Sequence, residues 1–238
     1  MICNSSRFNL KVAFFGALSI FAIVSAHADR VARILYYGAP KSAPKTSFVY
    51  TAQGEDYNRR DPQEVVLERH NFSKSFDLAD GEIRLGFLPQ RLPKRAVFPD
   101  AAPSLSIPAS WSKVLILVFE DPNNPIMPIR VQALDASDTV FGPGELLFIN
   151  YSEASIFGMV GDKKLILKPQ TTVLLSEPAK EKGSYRVKLD SVKDTIETRQ
   201  WLLRQSWRHE PEVRRVVFVF PLPEPRVAKL YTAPIRNF

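Results

Sequence analysis

Residues that could perform nucleophilic or metal chemistry are few in this sequence and lie far apart. The chain has one cysteine, Cys3, and beyond residue 28 it has two histidines, His70 and His209. Neither of these histidines has a second histidine close by, which a zinc site usually needs, and no G-x-S-x-G motif is present to position a serine nucleophile. The sequence therefore predicts no catalytic residue, no metal ligand and no cofactor, and it predicts that the protein is not an enzyme.

Carboxylates form two local groups that could do chemistry. The first group is Asp77, Asp80 and Glu82, and the second is Asp135, Asp138 and Glu145. Paired carboxylates can hydrolyse glycosidic bonds, and loops rich in Asp can hold calcium. The second group lacks the twelve-residue EF-hand pattern with its glycine, and Asp beside Gly is common in turns. We interpret both groups as turn-forming acids, with polysaccharide hydrolysis as the alternative.

Aromatic and paired basic residues offer a different chemistry, which is recognition by stacking and charge. Tryptophans and tyrosines, with Arg59-Arg60 as one of four basic pairs, could stack on a sugar or contact a partner protein. Each aromatic ring could equally fill a sandwich core. The residues that we predict as a possible recognition surface are Tyr57, Arg59, Arg60, Tyr151 and Trp207.

The elements that must position these residues read as short strands. Between residues 139 and 175, turn signals such as Gly142-Pro143-Gly144 and Gly161-Asp162 separate short apolar runs, which we predict as strands over residues 146–150, 155–160, 165–168 and 172–175. Turn signals this frequent, with apolar runs too short for packed helices, predict an antiparallel sandwich or barrel. We predict an all-β fold, an antiparallel β-sandwich of Ig-like or related type, with two sandwich units in tandem.

Two segments carry specific expectations. Residues 111–120 are apolar on both strand faces, which predicts a central strand covered on each side. Residues 197–209 fit either a short amphipathic helix or a strand, and we favour a strand because the neighbouring residues 213–220 form a clear one.

The composition along the chain predicts four regions. Residues 1–28 resemble a secretion signal, with Arg7 and Lys11 before a 13-residue apolar core and Ala26-His27-Ala28 as a cleavage site. Residues 29–95 are predicted to be an N-terminal β domain, and residues 96–110 a proline-rich linker or connection. Residues 111–232 are predicted to be a C-terminal β-sandwich domain.

Paired sequence patches raise the possibility of an internal duplication. Gly81 to Leu85 and Gly144 to Phe148 share a Gly-Glu-apolar start. The runs 32–37, 113–119 and 215–220 are also similar to one another, each being rich in apolar strand formers. A tandem pair of related sandwiches would explain both observations, although hairpins also share such patches by chance.

The run Gly144-Glu145-Leu146-Leu147-Phe148-Ile149-Asn150 matches a G-E-L-x-F-x-N type of hairpin. With the leader and the many strands, it resembles uncharacterised exported β-sandwich proteins of Gram-negative bacteria, mainly over residues 111–220. The resemblance implies a sandwich fold and export, and it implies no activity.

Charge and cysteine content complete the expectation. Loss of the leader would remove Cys3 and lower the formal charge from +7 to +5, so a chain without disulfides would depend on its buried core. The basic pairs form no long basic run with aromatics, which argues against nucleic acid. We therefore expect a periplasmic or extracellular protein, without a transmembrane segment after cleavage, that recognises another envelope protein or a glycan.

Overall fold

The structure, a computed structural model, describes residues 30–41, 43–54, 56–57, 62–93, 96–176, 178–179, 182–193, 195, 198–223, 226–236 and 238. The predicted leader, Arg59 and Arg60 lie outside these residues. Strands account for 53% of the described residues, which contain no α-helix. We find no membrane-spanning helix in this part of the chain. The all-β prediction with two sandwich units in tandem is confirmed.

The first sandwich consists of two sheets. The strands are β1 (Val31–Tyr36), β2 (Thr46–Gln53), β3 (Asp56–Tyr57), β4 (Gln63–Val66), β5 (Phe76–Asp77), β6 (Ile83–Leu88), β7 (Ser104–Ile107), β8 (Lys113–Glu120) and β9 (Ile129–Asp135). The first inner sheet has the order β5-β1-β8-β9, and the first outer sheet has the order β3-β2-β6-β7, with β4 also paired to β2. All of these pairs are antiparallel except β1 with β8.

The second sandwich repeats this plan. Its strands are β10 (Leu146–Asn150), β11 (Ser155–Val160), β12 (Lys163–Leu167), β13 (Thr172–Leu175), β14 (Gly183–Val192), β15 (Gln200–His209), β16 (Arg214–Pro221) and β17 (Ala228–Ile235). The second inner sheet has the order β13-β10-β16-β17, and the second outer sheet has the order β12-β11-β14-β15. Here β10 and β16 form the parallel pair. The strand predicted over residues 197–209 is confirmed as β15.

Three apolar cores separate the four sheets into layers. Ile34, Ile116 and Phe87 belong to the core between the first outer and first inner sheets. Leu35, Leu117 and Phe218 belong to the core between the two inner sheets, and a third core lies between the second inner and second outer sheets. The inner strands β8 and β16 are thus apolar on both faces because each face has a neighbour. The central, doubly covered strand predicted at residues 111–120 is confirmed by the burial of Val114 to Phe119.

Strand pairing crosses the domain limits that the composition suggested. Strand β1 pairs with β8 over its whole length, and β9 pairs with β8, so residues 113–135 belong to the first sandwich and not to a C-terminal domain beginning at residue 111. The proline-rich residues 96–110 contain β7, which pairs with β6. This segment is therefore a connection within the first sandwich. Proline density identified irregular backbone correctly but could not show that the next strand returns to β1.

The two sandwiches have the same strand order. Strands β1, β2, β4 and β5 through β9 occupy the places that β10, β11, β12 and β13 through β17 occupy in the second unit, and β3 is the one strand without a counterpart among the described residues. A tandem duplication would produce this agreement. The patches at residues 81–85 and 144–148 do not correspond, because they begin β6 and β10. The similar runs at residues 113–119 and 215–220 do correspond, as β8 and β16.

Candidate recognition surface

Tyr151 lies at the interface between the two inner sheets. Its ring packs edge-on against Phe119, 5.2 Å between centroids, and stacks on Phe220 at 5.5 Å. Its hydroxyl donates a hydrogen bond to Gln132 over 2.9 Å. Burial raises the pKa of Tyr151 to about 12, against a smaller opposing effect of Arg130. These contacts make Tyr151 part of the internal interface and not of an outer recognition surface.

Tyr37 makes the reciprocal contacts from the first sandwich. The backbone N–H groups of Tyr37 and Tyr151 bond to the carbonyls of Val118 and Val219, which occupy matching places on β8 and β16. The ring of Tyr37 stacks on Phe220, 3.6 Å between centroids, as Tyr151 contacts Phe119. Each unit thus offers the other the same face, the arrangement found in two-fold dimers.

Trp207 and Tyr57, which were also predicted for the recognition surface, lie in different sheets. Trp207 is 8% exposed and belongs to the core between the second inner and second outer sheets, with Arg215 5.5 Å from its ring centroid. Its buried ring therefore offers a partner little area. Tyr57 is in β3, of the first outer sheet, and Arg59 and Arg60 lie outside the described residues.

Three of the candidate acids and both histidines make contacts within the fold. Glu145 accepts bonds from the N–H of Gly142 and the hydroxyl of Ser176, both at 2.6 Å, and Asp135 accepts from Ser137. Asp138 pairs with Lys113 and Arg214, and these partners lower its pKa. His209 is buried with its ring beside that of Tyr185, and the carbonyl of His70 accepts a bond from Tyr231. No group of three or more metal-ligating side chains occurs among the described residues.

The outer face of the second outer sheet carries exposed apolar side chains. Strand alternation turns Ile156 and Val160 toward the core and leaves Phe157 and Met159 facing outward. Residues paired across antiparallel strands share a face, and Phe157 pairs with Ile166 on one side and with Asp190 on the other. Trp201, paired with Asp190, is 76% exposed, and Ile166 is 55% exposed. We call this surface the open face.

A bulge puts Trp201 on the open face. In a regular strand, Trp201, Leu203 and Trp207 would all point the same way because their spacing is even. The register of β15 shifts, however, so that Leu189 pairs with Leu203 while the next residue, Asp190, pairs with Trp201. The extra residue, Leu202, reverses the direction of the side chains beyond it. Leu203 and Trp207 therefore pack in the core while Trp201 projects outward.

Cations surround the apolar side chains of the open face. One row of paired residues across the sheet holds Arg204, Lys188, Met159 and Lys164. Arg186 lies two residues from Lys188 on β14, and Arg199 lies 5.2 Å from the ring centroid of Phe157. Arg208 of β15, paired with Ser184, is exposed on the same face. Among the described residues, this face therefore presents at least six cations, against the acid Asp190.

Asp190 fixes two of these arginines. It is 5% exposed and accepts from Arg199, whose Nε lies 3.0 Å away, and from Arg204. Burial of Asp190 would raise its pKa, but the bonds from Arg204 and Arg199 outweigh that effect and hold the pKa below its ordinary value. The carboxylate therefore stays charged at neutral pH. Each guanidinium has five N–H donors, so some remain for a ligand beyond those that hold Asp190.

The corresponding face of the first sandwich is covered by the chain itself. Tyr50 of β2 and Leu88 of β6 are buried there beneath residues 89–93 and 96–103, and Leu92, Phe98 and Ala102 belong to the same cluster. The backbone N–H of Leu92 donates to the hydroxyl of Tyr50 over 2.7 Å. In the second sandwich the equivalent connection, residues 193–199, is less than half as long. Among the residues that the structure describes, none covers the open face as residues 89–93 and 96–103 cover its counterpart.

Sequence reasoning passed over Phe157, Met159 and Ile166, although a signal for them existed. Residues 155–160 and 165–168 were predicted as strands, and alternation within them places these three side chains opposite the core residues. The exposure of Trp201 had no such signal, because the bulge is a property of strand pairing.

Comparisons with known proteins identify no family for this chain. No protein family model matches it, and no curated protein matches it. Among solved structures, the chain is similar to one described as a "putative cell adhesion protein" from Bacteroides uniformis ATCC 8492, with 7% identity and a TM-score of 0.25 over 88% of this chain and 99% of that one. A TM-score at that level supports no argument about function.

Proposed function

We propose that this protein is an exported, non-catalytic recognition protein that binds a partner through the open face. The observation that carries the proposal is the exposure of Trp201 beside Phe157 and Ile166 on a face whose counterpart is covered. Tryptophan, phenylalanine, methionine and arginine are the residues enriched where proteins bind one another. Exposed apolar groups grouped on one surface mark such sites.

The rest of the chain acts as a scaffold in this proposal. The three cores and the reciprocal contacts of Tyr37 and Tyr151 join four sheets into one stack, which would hold the open face in a fixed shape. Two of the acids that could have served hydrolysis accept hydrogen bonds within loops, as Glu145 does from Gly142 and Asp135 does from Ser137. A rigid surface loses less conformational entropy on binding than a flexible one.

Site-specific photo-crosslinking in the bacterium that encodes the protein tests this function. A photoreactive amino acid replaces Ile166 on the open face in one strain and Val97, 87% exposed on the first sandwich, in a control strain. We expect a crosslinked product from position 166 only, and its loss when Trp201→Ala is added. Equal products from both positions, or none, would contradict the proposal. Mass spectrometry of the envelope fraction should find a chain that begins at residue 29.

Glycan recognition is the second candidate, and the exposed indole of Trp201 favours it because aromatic faces stack on sugar rings. A glycan array probed with the wild type and with Trp201→Ala separates the two. Binding that depends on Trp201, without a protein crosslink at position 166, would support the glycan and reject a protein partner.

A further inference from the structure

The first sandwich shows what kind of molecule covers an outer sheet face in this fold. Residues 89–93 and 96–103 lie against β2 and β6 as irregular backbone, which contributes Leu92, Phe98 and Ala102 to a small apolar cluster. The ring of Phe98 packs edge-on against Tyr50, with 5.5 Å between centroids. The amide of Asn124 also fixes this segment by donating to the carbonyl of Ala101 over 3.0 Å. The cover is therefore a polypeptide segment that supplies apolar side chains and backbone hydrogen bonds.

The open face differs from its covered counterpart in charge. The side chains of Arg199 and Arg204 remain 53% and 40% exposed although both bind Asp190. Lys164, Lys188 and Arg186 are exposed as well. A segment that covers this face must offer carboxylates to the cations in addition to apolar groups. A second copy of this face would instead place like charges opposite one another.

The spacing of the rows defines the pattern of that segment. Phe157 and Ile166 are in one row across the sheet, and Met159 and Lys164 are in the next, two residues farther along each strand. Two residues of a strand span about 6.6 Å. An extended segment running along the strands meets both rows when an apolar and an acidic side chain are two residues apart.

We propose that the open face binds an extended, acidic segment of a partner protein, in which apolar and acidic side chains alternate on the contacting side. The inference rests on the proposed function and names the chemistry of its partner. Trp201 and Phe157 contact the apolar side chains, while Arg199, Arg204 and Lys188 bind the carboxylates. Asp190 contributes by holding two of these arginines in place before the partner arrives, which reduces the entropy lost on binding.

Selection from a random twelve-residue peptide library tests this assignment. The intact protein is the bait, and the Trp201→Ala variant removes peptides that bind elsewhere. We expect the enriched peptides to carry net negative charge, with acidic and apolar residues two positions apart. Enrichment of neutral or basic peptides, or of none that depends on Trp201, overturns the assignment.

Fluorescence anisotropy with the most enriched peptide then measures the contribution of charge. The Lys164→Gln/Lys188→Gln variant should bind about tenfold more weakly or worse, as loss of central interface residues does. The matched control, Lys41→Gln/Lys74→Gln, removes the same charge from the first sandwich and should bind within about twofold of the wild type. Equal effects in both double variants overturn the assignment. Thermal unfolding checks that all variants remain folded.

Two other anions test whether the open face binds any polyanion or prefers an acidic polypeptide. Vesicles containing phosphatidylglycerol and single-stranded poly(dT) are titrated against the wild type and the Trp201→Ala variant. Tighter, Trp201-dependent binding of either one than of the selected peptide overturns the acidic polypeptide. If position 166 yields a protein crosslink in the cell while no acidic peptide is selected, the proposed function stands and the partner's chemistry as assigned here is wrong.

Discussion

The guanidinium of Arg214 should be among the side chains most important for stability, because it holds the connection between the two sandwiches. Arg214 is 3% exposed and donates to the carbonyls of Ala136 and Phe141, at 2.7 Å for the latter, while it pairs with Asp138. A hydrogen bond from a charged group contributes about 1.5–3 kcal/mol, and a pair with an acid as exposed as Asp138 adds less than about 1 kcal/mol.

We therefore expect Arg214→Met to lower the free energy of unfolding by about 3–5 kcal/mol, mainly because two buried carbonyls lose their hydrogen bonds from a charged group. The matched control is Arg236→Met, because Arg236 is 60% exposed and pairs with Glu210 at 3.1 Å. Its removal should cost no more than about 0.5 kcal/mol.

Urea unfolding followed by tryptophan fluorescence measures both variants, since Trp111 reports on the first sandwich and Trp207 on the second. The wild type and the variants must share one slope for their midpoints to be compared. A loss below about 1 kcal/mol for Arg214→Met, or a loss equal to that of Arg236→Met, would refute the view that Arg214 fixes the connection.

Three further outcomes follow from local geometry. Gly158→Ala should lower the melting temperature strongly or prevent folding, because the added Cβ would lie 1.9 Å from the carbonyl oxygen of Lys188 and the backbone there has φ +153°. In the same thermal scan Gly54→Ala should have a smaller effect, because no heavy atom lies within 4 Å of the Cβ that it adds. Folding lowers the pKa of Asp190, so its charged form stabilises the fold above the ordinary pKa of about 3.9. This stabilisation is lost as the pH falls through the folded pKa. Asp190→Asn should therefore make the free energy of unfolding less dependent on pH at acid pH. Tyr151→Phe should cost about 1 kcal/mol in urea unfolding and remove one phenol that titrates near pH 12 in the ultraviolet.

The sequence predicted local strands well because each apolar run is bounded by turn residues that act at short range. Residues 155–160 and 172–175 were predicted with the bounds that β11 and β13 have. The pairing of β1 with β8 could not be predicted in the same way, since it joins strands about 80 residues apart and periodicity does not identify a partner. The domain limit placed before residue 111 failed for that reason.

The candidate site was harder to predict than the fold. Trp207 and Tyr151 were predicted from their residue type, but aromatic rings occur in cores as well as on surfaces. In the structure both rings pack against apolar cores. Trp201 has the same type and an even spacing from Trp207. One extra residue in the pairing of β15 with β14 leaves Trp207 in the core and turns Trp201 toward solvent. Register is decided by contacts between strands, which a single sequence does not contain.

The two sandwiches have the same strand order but different outer faces, which indicates how a fold present twice in one chain can gain a binding site. The reciprocal contacts of Tyr37 and Tyr151 occupy the two inner faces, which are therefore closed to a partner, whereas the two outer faces are not part of this interface. In the first sandwich the long connection between β6 and β7 buries Tyr50 and closes one of them. The short connection between β14 and β15 leaves Trp201 exposed on the other. Because the two faces share their strand framework, a connection between β14 and β15 as long as residues 89–103, but with Glu in place of Arg91, Lys94 and Arg95, should cover Trp201 and abolish the crosslink at position 166.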